Sequence, residues 1–228
     1  IEELEREAVS RADLVVACTV EDQRRLGELY GTPRRVAVVR NGFEDGLLGF
    51  DRDERRPRAR AALGLADGEL AVLFVGGAAH HNREAARLAT IVLPRIRRRA
   101  RLLLVGDCAS AVAPTPGVLP LGYQDDLRDV LSAADVAVNP VGFGSGSNIK
   151  MPVYLAAGLP IVTTPVGLRG FEELSGHALV ADPESFADAI PRALRLPPAP
   201  RDRLEPLTWR SLARRLADAY ASLRGGGG

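Results

Sequence analysis

Residues 139–158 read NPVGFGSGSNIKMPVYLAAG, and they join the end of a predicted strand, a loop rich in glycine and serine, and a helix predicted to begin near residues 147–150. In such a segment the loop N–H groups, the hydroxyls of Ser145 and Ser147 and the positive end of the helix can all face one anion. Lys150, expected one turn into the helix, adds a mobile positive charge. The segment therefore predicts a phosphate site, and the alternative is a flexible turn with an exposed lysine.

Two other predicted strands end in similar turns. The turn at 76–82, GGAAHHN, precedes a predicted helix, so its backbone can approach a second phosphate. His80 or His81 could donate to that phosphate, although adjacent histidines more often lie in a solvated loop. In the turn at 121–125, Tyr123 can line a base pocket or merely pack. Neither GxxxxGK[ST] nor GxGxxG occurs in the chain, so neither a P-loop nor a standard dinucleotide fold is supported.

Short apolar runs alternate with helical stretches along most of the chain, which predicts an α/β fold. The predicted strands are 14–18, 35–39, 70–75, 102–105, 118–121, 136–139, 160–163 and 178–180. The predicted helices are 21–30, 82–91, 125–133, 150–157, 183–194 and 209–223. Because the apolar runs show little alternation, we expect parallel strands that are covered on both faces. Thr19 is the expected N-cap of the first of these helices, and Gly31 its expected C-terminal glycine.

The composition is that of a globular protein, with 46% apolar and 26% charged residues among 228. Thirty basic and twenty-nine acidic side chains leave a net charge of +1, which argues against nucleic acid as the main partner. The longest apolar stretch, 70–79, is too short to cross a bilayer, and no charged-then-apolar leader opens the sequence. We therefore expect a soluble, cytoplasmic protein.

The residues that commonly bind metals are few and poorly spaced for that purpose. Cys18 and Cys108 form no Cys-x-x-Cys pair, so both are expected to be small buried residues and not a disulfide or a zinc site. The three histidines lack ligand spacing, and we predict no metal. Lys150 is the single lysine among thirty basic residues, and the excess of arginine is typical of a GC-rich, bacterial genome.

Composition also suggests how the chain is divided. The charged segment DRDERRPRAR, at 51–60, shows no apolar period and indicates a linker. The predicted division is therefore the end of an N-terminal domain at 1–42, a linker at 43–62, an α/β domain at 63–205, and a final helix within 206–228. The arginine runs at 55–60 and 97–101 are expected to be solvated, and the alternative is contact with an anionic membrane or polymer.

The three turns, in this order and at this spacing, resemble the C-terminal domain of the GT-B glycosyltransferases, specifically the retaining family 4. VVACTVEDQRRL and VAVVRNGFE resemble the end of such an enzyme's N-terminal domain and the crossover into the second domain. LFVGGAAHHN, LLLVGD, LGYQDDLRDVLSAADVAVNP and GSGSNIKMPVYLAAGLPIVTTPVGLRGF follow the second domain in order. The helix from Trp209 resembles the C-terminal helix that returns to the first domain. The likeness covers nearly the whole chain.

This resemblance implies roles for particular residues. In a nucleoside diphosphate sugar, the diphosphate is expected beside Gly76 and Gly77. The base is expected beside Leu121, Gly122 and Tyr123. The phosphate and the sugar are expected to be held by Gly144, Ser145, Gly146, Ser147 and Lys150. Family members usually carry a ribose-binding carboxylate where this chain has Val153, and many carry a glutamate where it has Ser145. The arginine and lysine that many relatives carry after the first strand are absent, and Ala78, His80, Asn82 and Arg83 lie in that region. Valine cannot accept a hydrogen bond, so the ribose hydroxyls lose their expected partner.

The leading hypothesis is the donor-binding part of a retaining glycosyltransferase, with a nucleotide-sugar donor, an unknown acceptor and no required cofactor. Catalytic residues stay unknown, because the family places its acceptor site in the N-terminal domain. The alternative is a degenerate, non-catalytic domain that serves as a binding or scaffold partner, for which Val153 and Ser145 are the evidence. An epimerase acting on nucleotide sugars is a third possibility, but its paired acidic groups are not evident in the loops.

Overall fold

A computed structural model of the chain describes residues 2–144 and 146–224. Its strands are Val15–Ala17 (β1), Val36–Val38 (β2), Leu70–Val75 (β3), Ala100–Val105 (β4), Val118–Gly122 (β5), Val136–Asn139 (β6), Ile161–Thr163 (β7) and Ala178–Val180 (β8). Its α-helices are Glu2–Arg11 (α1), Val20–Tyr30 (α2), Arg52–Ala62 (α3), His80–Val92 (α4), Arg128–Ala133 (α5), Lys150–Ala156 (α6), Pro165–Leu168 (α7), Phe186–Ala193 (α8), Arg201–Leu204 (α9) and Trp209–Arg224 (α10). Short 3₁₀ turns lie at Asp45–Leu47, Leu93–Arg95, Asp107–Ala111, Glu172–His177, Pro183–Ser185 and Glu205–Leu207.

The predicted α/β fold with a Rossmann-like parallel sheet is confirmed. Six strands form one parallel sheet in the order β5-β4-β3-β6-β7-β8, and β1 and β2 form a separate parallel pair. All eight predicted strands are present, three with the predicted bounds and five with bounds that differ by one or two residues. The strand order reverses between β3 and β6, so the loops after these two strands diverge and leave a crevice at their carboxyl ends.

Both faces of the six-stranded sheet are covered, as the continuous apolar runs predict. In β3, Ala71 and Leu73 face a cluster built with α3, α5 and α6, while Leu70, Val72 and Phe74 face a cluster built with α4 and α8. Successive side chains of this strand point to opposite faces of the sheet, so the strand contributes to two separate hydrophobic cores. The sheet is held between two helical layers, and its carboxyl edge is left for loops.

Most of segment 51–60, which was expected to be a linker without regular structure, lies in helix α3. Asp51 caps α3 by accepting from the Glu54 N–H at 2.9 Å. Arg56 donates to the Ala134 carbonyl at 2.8 Å and to the Asp135 carboxylate. With Arg52 and Arg60, which occupy the same helix face, Arg56 docks α3 on the last carbonyls of α5, where positive charge is favoured. Arginines replace the apolar stripe that would have revealed the helix.

The remaining local expectations divide between confirmed and corrected. Thr19 caps α2 by accepting from the Asp22 N–H, and Gly31 ends that helix at φ 89°. Cys108 is buried as expected, whereas Cys18 is only half-buried, because it follows an edge strand of the two-stranded sheet. Both cysteines are free thiols. The division of the chain into domains stays a prediction.

The connection between the two sheets runs beside the start of α10. Phe43 is fully buried, donates its N–H to the Leu207 carbonyl at 3.2 Å and accepts from the Trp209 N–H at 3.0 Å. A Cβ on Gly42 would lie 2.3 Å from the Leu207 carbonyl oxygen, so no larger residue fits there without a backbone shift. At the other end of α10, Arg35 donates to the Ser222 carbonyl at 2.9 Å.

Candidate functional site

A cleft opens at the carboxyl ends of β3, β4 and β5, beside the strand-order reversal. Its larger cavity, of about 520 Å³, is lined by Gly76 and Gly77 after β3, by Gly106 after β4 and by Tyr123 after β5. The first two of these loops touch, because a Cβ on Gly106 would lie 2.4 Å from the Gly76 carbonyl oxygen. Gly106 also has a φ of 91°, which favours glycine. The glycines therefore bring two backbone segments together at the floor of the cleft.

A smaller cavity, of about 270 Å³, continues the cleft toward α4 and α6. It is lined by Asn82 and Lys150 and shares with the larger one Val75, Gly76, Gly77, Leu127, Ile149 and Val153. The expected diphosphate residues Gly76 and Gly77 thus lie at the junction of the two cavities. We call the joined space the donor cleft.

Lys150 reaches the donor cleft from the first residue of α6, not from one turn inside the helix as expected. Its Nζ donates to the side-chain oxygen of Asn82 at 3.0 Å and to that of Asn148 at 3.2 Å. It also lies 5.5 Å from the centre of the Phe74 ring, a favourable position for a cation. Among the described residues no carboxylate forms a salt bridge with this ammonium group.

Burial lowers the pKa of Lys150 from 10.5 to about 8, because desolvation disfavours the charged form and neutral amides only partly replace water. The pKa of the neighbouring Cys108 thiol is raised to about 11 by burial, so the thiol stays protonated at neutral pH. Burial, followed by the charges of Lys150 and His80, lowers the pKa of His81. The cleft therefore holds one mostly buried cation whose hydrogen-bond partners, Asn82 and Asn148, are uncharged amides.

The glycine- and serine-rich loop lies to the side of the donor cleft, which departs from the expected arrangement. Gly144 packs beside the His81 ring, and its carbonyl accepts from Arg169 at 2.7 Å. The Gly146 N–H donates to Asp22 at 3.4 Å, and the Ser147 hydroxyl accepts from the Asn41 side chain at 3.0 Å. Gly144, Gly146 and Ser147 do not line either cavity of the cleft. The sequence correctly predicted that these residues follow β6. Their contacts with segment 2–42 and with Arg169 hold them outside the donor cleft.

Ser145 lies outside the described residues, and its expected role stays a prediction. The two histidines at the start of α4 contact this loop through Phe143, with ring centres 5.5 Å from His80 and 6.4 Å from His81. His80 is exposed, as the solvated alternative predicts, while His81 is half-buried.

Only one of the three residues expected at the base lines the cleft. Tyr123 does so with 73% of its surface exposed. Leu121 and Gly122 are instead the last residues of β5, where Leu121 accepts from the Gln124 amide at 2.8 Å and Gly122 accepts from the Gly106 N–H at 2.6 Å. Their carbonyl groups bond to the loops that line the cleft, so these two residues support the cleft without lining it.

Val153 forms part of the wall between the two cavities, one turn of α6 beyond Lys150. Its neighbours along that wall, Val75, Leu127 and Ile149, are also apolar. The carboxylates that line the cleft are Glu44, Asp107, Asp125 and Asp126, all in the larger cavity. The wall is therefore apolar where the family resemblance led us to look for a ribose acceptor.

Several lining residues come from a part of the chain that sequence reasoning did not connect with the site. Phe43 and Leu47, from the crossover after β2, and Trp209, at the start of α10, line the larger cavity. The Asn-Gly pair before Phe43 had signalled a boundary, but its contact with residues 207–209 spans more than 160 positions. No short-range pattern reports such a contact.

The described residues, 2–144 and 146–224, contain no group of three or more His, Cys, Asp or Glu side chains arranged to hold a metal ion. Within the same residues, none of the helices is both long enough and apolar enough to cross a bilayer. The arginine runs are solvated only in part: Arg58, Arg97, Arg98 and Arg99 are exposed, as expected, whereas Arg56 and Arg60 are half-buried and dock on α5. Arg99 and Arg101 lie 3.3 and 3.4 Å from the Glu69 carboxylate.

Comparison with known proteins assigns the chain that builds this cleft to a family. The family model described as "Glycosyl transferases group 1" matches residues 69–195, which is more than half of the chain. The chain belongs to this family. Residues 69–195 include all six strands of the large sheet, both cavities' glycine turns and Lys150, so the match covers the elements that build most of the donor cleft.

Individual relatives and solved structures agree with the assignment. A D-inositol 3-phosphate glycosyltransferase of Nocardia farcinica is 31% identical over 241 residues, covering 95% of this chain and 52% of that protein. Sucrose-phosphate synthase from Thermosynechococcus elongatus superposes with a TM-score of 0.76 at 21% identity, over 99% of this chain and 62% of that one. Anabaena Alr3699/HepE in complex with UDP and glucose superposes with a TM-score of 0.80 at 16% identity, over 97% and 67%. The fold is therefore that of a GT-B glycosyltransferase, and the chain spans about half the length of the curated relatives it matches.

Proposed function

We propose that this chain is the donor-binding part of a retaining glycosyltransferase of family 4 type, which takes a nucleoside diphosphate sugar and transfers the sugar to an acceptor. The observation that carries the proposal is Lys150, a mostly buried cation with only neutral partners, in a cleft at the strand-order reversal. A buried charge of this kind gains most from an anionic ligand, and the diphosphate of a sugar nucleotide supplies one.

In the proposed reaction, negative charge grows on the diphosphate as its bond to the sugar breaks. Lys150 stabilises that charge from α6, and the backbone at Gly76 and Gly77 lets the phosphates approach closely. A positive group held in place before the reaction lowers the barrier more than one that must reorganise. The scheme requires no metal or other cofactor, and the free thiols Cys18 and Cys108 support a location in the cytoplasm.

Binding to this chain is the first test. Calorimetric titration with UDP, GDP, ADP and dTDP is expected to show one preferred nucleotide, and Lys150→Ala is expected to weaken its binding by about 1.5–3 kcal/mol, the usual range for a hydrogen bond to a charged group. Arg98→Ala is the matched control, because Arg98 is an exposed cation that donates to the Gly68 carbonyl, before β3 and far from the cleft. Equal losses in both variants would contradict a phosphate site at Lys150.

Retention is tested separately, with a protein that contains this chain and has the full length of its relatives. The anomeric configuration of the transfer product is read from the NMR spectrum of that product. Retention gives a product with the configuration of the donor, and inversion would overturn that part of the proposal.

A second candidate is a degenerate domain that binds a partner and performs no transfer. Val153 favours it, because the half-buried valine lines the wall of the cleft where a carboxylate was expected. If the natural chain binds none of the four nucleotides and Val153→Glu alone restores binding, this candidate takes the lead. If the natural chain binds a nucleotide, Val153 has not abolished the site and the transferase proposal stands.

A further inference from the structure

Trp209 is the only tryptophan of the chain, and it lines the larger cavity of the donor cleft with 44% of its surface exposed. Its backbone is fixed, because the Trp209 N–H donates to the carbonyl of the fully buried Phe43 at 3.0 Å. The indole N–H takes part in none of the hydrogen bonds among the side chains that the structure describes. The residue thus places a partly exposed aromatic side chain at the wall of the cavity, next to a backbone that is hydrogen-bonded to the crossover.

The two ends of the donor cleft differ in charge. At the smaller cavity the one ionised group is the Lys150 ammonium, beside the amide of Asn82. At the larger cavity the carboxylates of Glu44, Asp107, Asp125 and Asp126 face one guanidinium, that of Arg128. Arg128 is itself bonded to Asp126 at 2.9 Å. A phosphate is therefore attracted to the first end and repelled from the second.

The larger cavity also differs from the smaller one in the aromatic side chains that line it. Its surface includes Phe43, Leu47, Tyr123 and Trp209, and the two exposed aromatic rings among them belong to Tyr123 and Trp209. Flat aromatic ligands bind such rings by stacking, and the surrounding carboxylates can accept hydrogen bonds from N–H groups at the edge of a heterocycle. A ligand that is anionic at one end and planar at the other fits the donor cleft in one direction.

We propose that Trp209 contacts the base of the nucleoside diphosphate donor and thereby determines much of the donor's affinity. The inference rests on the proposed function, which supplies the ligand, and extends it to a residue of α10 outside the segment 69–195 that the family model matches. Since Trp209 and Phe43 are joined through their backbones, the base is held by the crossover segment and α10, while the diphosphate is held by α6 and the loop after β3.

The single tryptophan makes the test direct, because fluorescence excited at wavelengths that the four tyrosines do not absorb reports on Trp209 alone. We expect the preferred nucleotide among UDP, GDP, ADP and dTDP to quench this fluorescence, while inorganic diphosphate leaves it unchanged. By calorimetry, Trp209→Ala is expected to weaken nucleotide binding about 5- to 150-fold, the usual range for loss of a base–aromatic contact. Trp209→Phe keeps a ring and is expected to retain most of the affinity, while neither variant changes the binding of inorganic diphosphate.

The outcomes separate this inference from the function on which it rests. If calorimetry shows nucleotide binding, but Trp209→Ala binds as tightly as the natural chain or the fluorescence stays constant, the inference is overturned and the proposed function stands. If the natural chain binds none of the nucleotides, the proposed function fails and the inference fails with it. Should Trp209→Ala not fold, as judged by thermal unfolding, the quenching of the natural chain decides the question: quenching by the nucleotide but not by inorganic diphosphate supports the inference, and its absence overturns it.

Discussion

Nucleotide affinity is expected to fall above pH 8, because the charge on Lys150 is lost there. Burial sets the pKa of this lysine to about 8 in the free protein, and a bound diphosphate favours the protonated form. The protonated fraction of the free protein falls from about nine-tenths at pH 7 to about one-tenth at pH 9. If binding requires the ammonium form, the dissociation constant rises by the same ratio, about tenfold.

The measurement is a calorimetric titration of the preferred nucleotide at half-unit intervals from pH 6.5 to pH 9. Lys150→Arg is the matched control, because a guanidinium stays protonated throughout this range. Any ionisation of the nucleotide itself affects both proteins equally, so the ratio of the two dissociation constants isolates the lysine. A ratio that stays constant from pH 7 to pH 9, in proteins that both bind, would refute the assignment of the cleft's charge to Lys150.

Three further predictions concern the cleft and its support. Asn82→Asp places a carboxylate within hydrogen-bond distance of Lys150, so nucleotide binding is expected to weaken at least about tenfold and the loss of affinity to move to higher pH, as calorimetry across pH will show. Asp135→Ala leaves two part-buried guanidinium groups of α3 without their carboxylate and is expected to lower the free energy of unfolding in urea by about 3 kcal/mol, whereas Asp129→Ala, at an exposed pair, should change it by less than about 0.5 kcal/mol. Gly42→Ala forces a Cβ against a backbone oxygen at 2.3 Å and should lower the melting temperature by several degrees, and an unchanged melting curve would show that the crossover yields without cost.

The sheet was predictable because its strands are buried on both faces, and such strands need uninterrupted apolar runs. Leu70–Val75 satisfies that requirement within six residues, so local sequence suffices to find it. Helix α3 was not predictable in this way, because its buried face is formed largely by arginines whose partners, the carbonyls at the C-terminal end of α5, lie more than 70 positions away. From composition alone, a helix that docks through arginines cannot be distinguished from a charged, solvated segment.

The site was predictable only as far as strand ends determine position. Gly76, Gly77, Tyr123 and Lys150 line the donor cleft because each follows a strand of the same sheet. The direction of a loop after it leaves the strand depends on distant contacts, and those contacts hold Gly144 and Gly146 to the side of the cleft. For the same reason Trp209, which reaches the cavity from the other end of the chain, gave no local signal.

The pairing of Phe43 with residues 207–209 has a mechanical consequence. The chain leaves segment 2–42 at Phe43 and passes the same point again at residues 207–209, where two hydrogen bonds join the two stretches of backbone. A rotation of that segment against the six-stranded sheet would therefore pivot at this crossing, and it would have to break side-chain contacts such as those of Arg40 with Glu173 and of Asn41 with Ser147. Phe43 and Trp209 also form part of the cavity wall, so any such rotation changes the width of the cleft at the pivot itself.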